Sequence, residues 1–67
     1  MRPTQAERVE KIAVSAIEAA EMLSLSRSKI YEMMHAGLLP FLKFGKSRRI
    51  LVSDIRKLAE ANKRSSL

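Results

Sequence analysis

The stretch from Ser15 to Gly37, SAIEAAEMLSLSRSKIYEMMHAG, constrains the fold most, because it packs two helix starts and two helix stops into a short span. Ser15 is a strong N-cap and Glu18 follows three residues later, so hydroxyl and carboxylate can each satisfy an orphan backbone amide in a capping box. Ala19, Ala20, Met22 and Leu23 then supply apolar positions at helical spacing, and Ala20 is small enough for a second helix to approach closely. Ser24 and Leu25 break the run. Ser26 caps again, Ile30, Met33 and Met34 form an i, i+3, i+4 stripe, and Gly37 suits the left-handed C′ position. The pattern predicts two short helices meeting at a tight corner. At that corner stands Ser24, where glycine is favoured for a positive φ, at a cost of about 1 kcal/mol.

Such a helix-turn-helix has a definite outer face. If Leu25, Ile30 and Met33 hold the second helix on the first, then Arg27, Ser28, Tyr31, Glu32 and His35 point outward, with Ser26 at the start and Lys29 at the edge. Those residue types at that spacing suit an element that enters a DNA major groove. Any helical hairpin shares the corner and the buried stripe, so the charge distribution has to carry the argument further. The chain of 67 residues has a formal net charge of +6, and the excess is segregated. Up to Leu25, the cations Arg2, Arg8 and Lys11 are outnumbered by Glu7, Glu10, Glu18 and Glu21. From Ser26 onward the only acids are Glu32, Asp54 and Glu60, and Lys and Arg dominate. The positive field therefore starts at the second helix, which favours a polyanionic partner, nucleic acid before anionic membrane.

Beyond Gly37 the residues change period. Leu38, Leu39 and Pro40 make a compact connection, since Pro40 cannot continue a helix and pushes Leu39 into an extended conformation. Residues 41–44 (FLKF) read as a strand, Gly45, Lys46 and Ser47 as a turn, and residues 48–52 (RRILV) as the returning strand. The hairpin tip, GKSRR, concentrates three cations in five residues. A basic loop of this kind reads as a contact to phosphate or to the minor groove. Upstream, residues 11–14 (KIAV) alternate weakly and suggest a short strand that pairs with the hairpin. Downstream, Ser53 is the expected cap of a third helix, with Asp54 in its first turn, Ile55, Leu58 and Ala59 facing in, and Arg56, Lys57 and Lys63 facing out. Met22, Met33 and Met34 read as core filler. The expected organisation is an N-terminal arm over 1–10, a folded domain over 11–61 and a basic tail over 62–67. The fold class is mainly α with a small β-hairpin, a winged helix-turn-helix.

Several functions are disfavoured. A chain this short leaves no room for a second core or a roomy cleft, so no small-molecule substrate is expected. There is no Cys, and the single His, His35, has no carboxylate cluster beside it. Neither a metal site nor a catalytic triad can be assembled, and no enzyme activity, cofactor or metal is expected. His35 fits a helix end favoured by the dipole, within reach of phosphate. No apolar run approaches a membrane span, and MRPTQAERVE lacks a signal-peptide core, so the expected location is the cytoplasm of a bacterial host, at the nucleoid when bound. A protein-interaction adaptor that docks an acidic partner is the competing class.

The run VSAIEAAEMLSLSRSKIYEMMHAGLLPFLKFGKSRRILVSDIRKLA resembles the excisionase-like helix-turn-helix family, the recombination directionality factors and AlpA-like regulators, over about residues 12 to 60. The SRSKIY segment matches the start of the family's recognition helix, which implies groove contacts for Arg27, Ser28, Lys29 and Tyr31. The FGKSRRI segment matches the wing, which implies backbone or minor-groove contacts for Lys46, Arg48 and Arg49, flanked by Lys43 and Ser47. Two positions depart from the family pattern. Ser24 replaces the corner glycine, and Arg48 stands where an aromatic is common. The resemblance implies double-stranded DNA as ligand, self-association on adjacent sites, DNA bending and an integrase partner steered towards excision. A small transcription regulator or a terminase-type recognition module would read DNA with the same two elements.

Overall fold

The computed structural model describes residues 10–64. The expected arm, Glu10 excepted, and the last three residues lie outside the described residues. Strand β1 (Ala13–Val14) leads into helix α1 (Ala16–Leu23), and helix α2 (Arg27–His35) follows across a short corner. Strands β2 (Leu42–Phe44) and β3 (Ser47–Leu51) form a hairpin, and helix α3 (Val52–Ala61) closes the chain. The three strands make one antiparallel sheet in the order β1-β3-β2. Ala13 pairs with Leu51 and Val14 with Ile50, while Leu42, Lys43 and Phe44 pair with Arg49, Arg48 and Ser47. Three helices around this sheet make the expected winged helix-turn-helix, and β1 finds its partner in the hairpin.

The caps set the helix boundaries. The Glu18 amide donates to Ser15 Oγ at 3.1 Å, and the Ser15 amide donates to Glu18 Oε1 at 2.9 Å, so the capping box is closed from both sides. Lys11 completes it by donating to the other Glu18 oxygen. These bonds stabilise the carboxylate, and with the Lys11 bond as the largest cause they lower the Glu18 pKa from 4.5 to about 2. A carboxyl held low in the folded state contributes stability above its ordinary pKa and loses it as pH falls towards the folded value. Glu18→Gln is therefore expected to lower the thermal midpoint at pH 7, with the gap to the parent closing between about pH 4.5 and pH 2. A gap of constant size over that range, followed by circular dichroism, would show that the charge is not what holds the box.

The corner is built as the sequence demands. Ser24 has φ 56° and ψ 41°, its amide donates to the Glu21 carbonyl at 3.2 Å, and the Leu25 amide donates to the Ala20 carbonyl at 2.9 Å. This is the Schellman arrangement with serine in the glycine place. Ser24→Gly is expected to stabilise the fold by about 1 kcal/mol, a rise in Tm of roughly 4–8 °C for a domain this small. A lowered Tm would mean that the serine hydroxyl contributes more than the strained φ costs. Ser26 then caps α2 by accepting the Lys29 amide at 3.1 Å. The stop at Gly37, φ 79°, is a second Schellman turn, in which the Gly37 amide meets the Met34 carbonyl at 3.2 Å and the Leu38 amide meets that of Met33 at 2.9 Å.

The core lies where α1, α2 and the inner face of the sheet meet. Ala19 and Ala20 are buried in it, and Ile30, Met33 and Met34 form the buried stripe of α2. Ile30, Leu39 and Ile50 are fully buried and are the large side chains at its centre, with Val14 from β1 and Ile55 from α3 at its borders.

Several sequence-based expectations are corrected. Ser53 does not cap α3. Leu51 holds the N-cap position without a side-chain bond, and Val52, expected to end the strand, is the first helical residue. The reason is that the Val52 amide donates to the Ile12 carbonyl at 2.9 Å, so the strand ladder itself delimits the helix start. Asp54 remains in the first turn. Ser47 belongs to β3, which shortens the hairpin turn to Gly45 and Lys46, and Gly45 takes φ 63° at its first position. Phe41 precedes β2, and Lys11 and Ile12 precede β1. Leu25 and Met22, expected in the core, are 41% and 51% exposed, and Ala59 faces solvent. Leu23 and Leu58 pack against the core instead.

Candidate nucleic-acid interface

Helix α2 separates its faces cleanly. Ile30, Met33 and Met34 are buried, and Ser26, Arg27, Ser28, Lys29, Tyr31, Glu32 and His35 are all exposed. Burial of Ile30, Met33 and Met34 fixes the rotation of the helix and keeps this face outward. The hairpin likewise leaves Lys43, Lys46, Ser47, Arg48 and Arg49 exposed, with Ile50 as the anchor that holds β3 to the core.

Two open grooves bring helix and hairpin together. The first, about 560 Å³, runs between α2 and the hairpin and is lined by Tyr31, Glu32, Met34, His35, Phe41 and Arg48. The second, about 490 Å³, joins Tyr31 to the wing residues Lys46, Ser47, Arg48 and Arg49 and to Ser15, Ala16 and Ile17 at the start of α1. Tyr31 and Arg48 line both, so the two grooves adjoin at these side chains and together span helix and wing.

Not every candidate residue joins this surface. Arg27 and Ser28 sit in the first turn of α2 and line neither groove. Lys29 faces the other way, lining a groove with Met33, Leu38 and α3 residues Asp54, Lys57 and Leu58, and its ammonium lies 3.5 Å from Glu32. Lys43 lies directly opposite Arg48 in the ladder. Sequence reasoning missed Phe41, whose ring centroid is 5.1 Å from the Arg48 guanidinium carbon. A signal was present, since Phe41 stands two residues before the partner of Arg48, diagonal to it across the hairpin. Ile17 was missed too, as an apolar residue 48% exposed on the groove side of α1.

Comparison with known proteins bears directly on this surface. The family model described as a helix-turn-helix domain matches residues 14–63, most of the chain. The chain belongs to that helix-turn-helix family. Its members are small DNA-binding proteins of the excisionase and AlpA-like kind, and DNA is the partner that the family supports. In this helix-turn-helix protein the match takes in both helices of the motif, the hairpin and all of α3. No curated protein and no solved structure matches the chain. Among the described residues, no group of His, Cys, Asp or Glu side chains is placed to hold a metal ion, and no helix is long and apolar enough to cross a membrane.

Proposed function

We propose that this helix-turn-helix protein is an excisionase-type factor: it reads duplex DNA with α2 in the major groove and the β2–β3 hairpin in the adjoining minor groove, and bends it. In this reading Arg27, Ser28 and Tyr31 approach base edges or phosphates, assisted by Glu32 and His35, with Ser26 and Lys29 at the margin. Lys43, Lys46, Ser47, Arg48 and Arg49 follow the backbone. The observation that carries it is that the two grooves adjoin at Tyr31 and Arg48, which lets one curved polyanion touch helix and wing together. A single module of this size buries only roughly 600–1,000 Å² on DNA, so several copies on adjacent sites supply the affinity that one lacks. Bending costs on the order of 1–6 kcal/mol, which contacts in neighbouring grooves can offset. A bent, multiply occupied site is the architecture that would direct an integrase towards excision.

Circular-permutation gel shifts on attachment-site duplexes test this directly. Retardation that depends on the position of the site, with stepwise complexes as protein is added, is the expected result. Retardation independent of site position would favour the regulator reading, and saturable binding of an acidic protein with no duplex binding would favour the adaptor.

A further inference from the structure

We propose that Phe41 is a positioning residue for DNA binding, which holds the Arg48 guanidinium at the junction of the helix groove and the wing groove; the inference rests on the DNA-binding reading of that surface. Three observations on the hairpin carry it. The Arg48 guanidinium carbon lies 5.1 Å from the Phe41 ring centroid, within the range of a cation–π contact. Arg48 pairs directly across the ladder with Lys43, so two like charges share one face and repel. Arg48 is also the wing cation that lines both grooves, whereas Lys46 and Arg49 line only one.

These facts have a common consequence. Without Phe41, an exposed arginine beside a lysine would sample many rotamers, and binding would have to order it. With its guanidinium over the ring, Arg48 is already held at the two grooves that Tyr31 also lines, where its donors can meet a phosphate oxygen. The ring attracts the cation through its π face without accepting its N–H groups as a carboxylate would, so Arg48 keeps donors to offer a phosphate. The neighbouring Arg49 has a different anchor, donating from Nη1 to the Arg48 carbonyl at 2.8 Å. The two wing arginines are thus oriented independently, one by an aromatic ring and one by the backbone.

A double-mutant cycle tests the assignment, read by fluorescence anisotropy of a labelled random-sequence duplex at fixed low salt. Phe41→Leu keeps an apolar side chain and removes the π face. It is expected to weaken duplex binding roughly three- to tenfold. In an Arg48→Gln background the same change is expected to have no effect on affinity, and Phe41→Tyr is expected to bind as the parent does. In the free chain, the Arg48 Nε–H resonance should carry an upfield ring-current shift that Phe41→Leu abolishes. Equal losses with and without Arg48, or an Arg48 resonance indifferent to residue 41, would overturn the inference while leaving DNA binding intact. Failure of the unsubstituted chain to bind duplex at all would instead remove the DNA-binding reading, and this inference with it.

Discussion

Ile30→Ala is expected to cost about 2–5 kcal/mol and to bring the chain close to unfolding at room temperature. Ile30 is 0% exposed at the centre of the α2 stripe, where α1, the sheet and the connection after α2 converge. Truncating it removes buried apolar surface and leaves a cavity that two rigidly capped helices cannot close. The change is severe because a chain of 67 residues has a total stability of about 3–10 kcal/mol at the usual density per residue. No disulfide is present to offset the loss. Ile30→Val, which keeps most of the volume, should cost only about 0.5–1.5 kcal/mol. Urea unfolding of both variants checks this, and an alanine variant within about 1 kcal/mol of the parent would show that the helix corner does not depend on this side chain.

The second large effect concerns reading rather than folding. Arg27→Ala is expected to reduce discrimination between a selected site and its single-base variants by about 1–3 kcal/mol, the usual value of a bidentate arginine–guanine contact. Arg27 is the first residue of α2, and the N-terminal residues of a recognition helix are those that reach base edges. It makes no salt bridge among the described residues, whereas Lys29 is engaged with Glu32. Selection from randomised duplexes supplies the site, and competition binding supplies the ratios. A loss of affinity that is equal for all sequences would reassign Arg27 to the DNA backbone.

The parts of this fold that could be read from the chain are those decided locally. Ser15 with Glu18, Ser26, Ser24 and Gly37 act through bonds to residues three to five positions away, so residue type and spacing are enough to foresee them. Leu39 shows the opposite case. It is fully buried, yet it lies in the short connection between α2 and β2, which displays no period, and only the packed core reveals its role. Leu25 and Met22 look like core residues by type, but the corner turns both towards solvent while Leu23 and Leu58 take the available space. Ser53 is a better cap than Leu51 by residue preference alone. The ladder bond from Val52 to Ile12, a pairing between distant segments, decides the boundary instead.

The candidate surface was legible to a similar degree. The outward residues of α2 follow from its buried stripe, and the basic wing follows from GKSRR. That Tyr31, Glu32 and His35 share adjoining grooves with the wing, and Arg27, Ser28 and Lys29 do not, is a tertiary fact. The division of labour between Lys29 and Arg48 was equally hidden. Both are cations, Lys29 on α2 and Arg48 on β3, but one lines the α3 side and the other the wing side.

Whether α2 and the hairpin act as a single DNA-binding surface is decided by amide chemical-shift mapping during titration of the labelled chain with duplex DNA. Tyr31, Glu32 and His35 are expected to shift together with residues 46–49, along one binding curve, while Leu38, Lys57 and Leu58 on the α3 side stay unmoved. Shifts concentrated on the α3 side, or a helix response without a wing response, would contradict it.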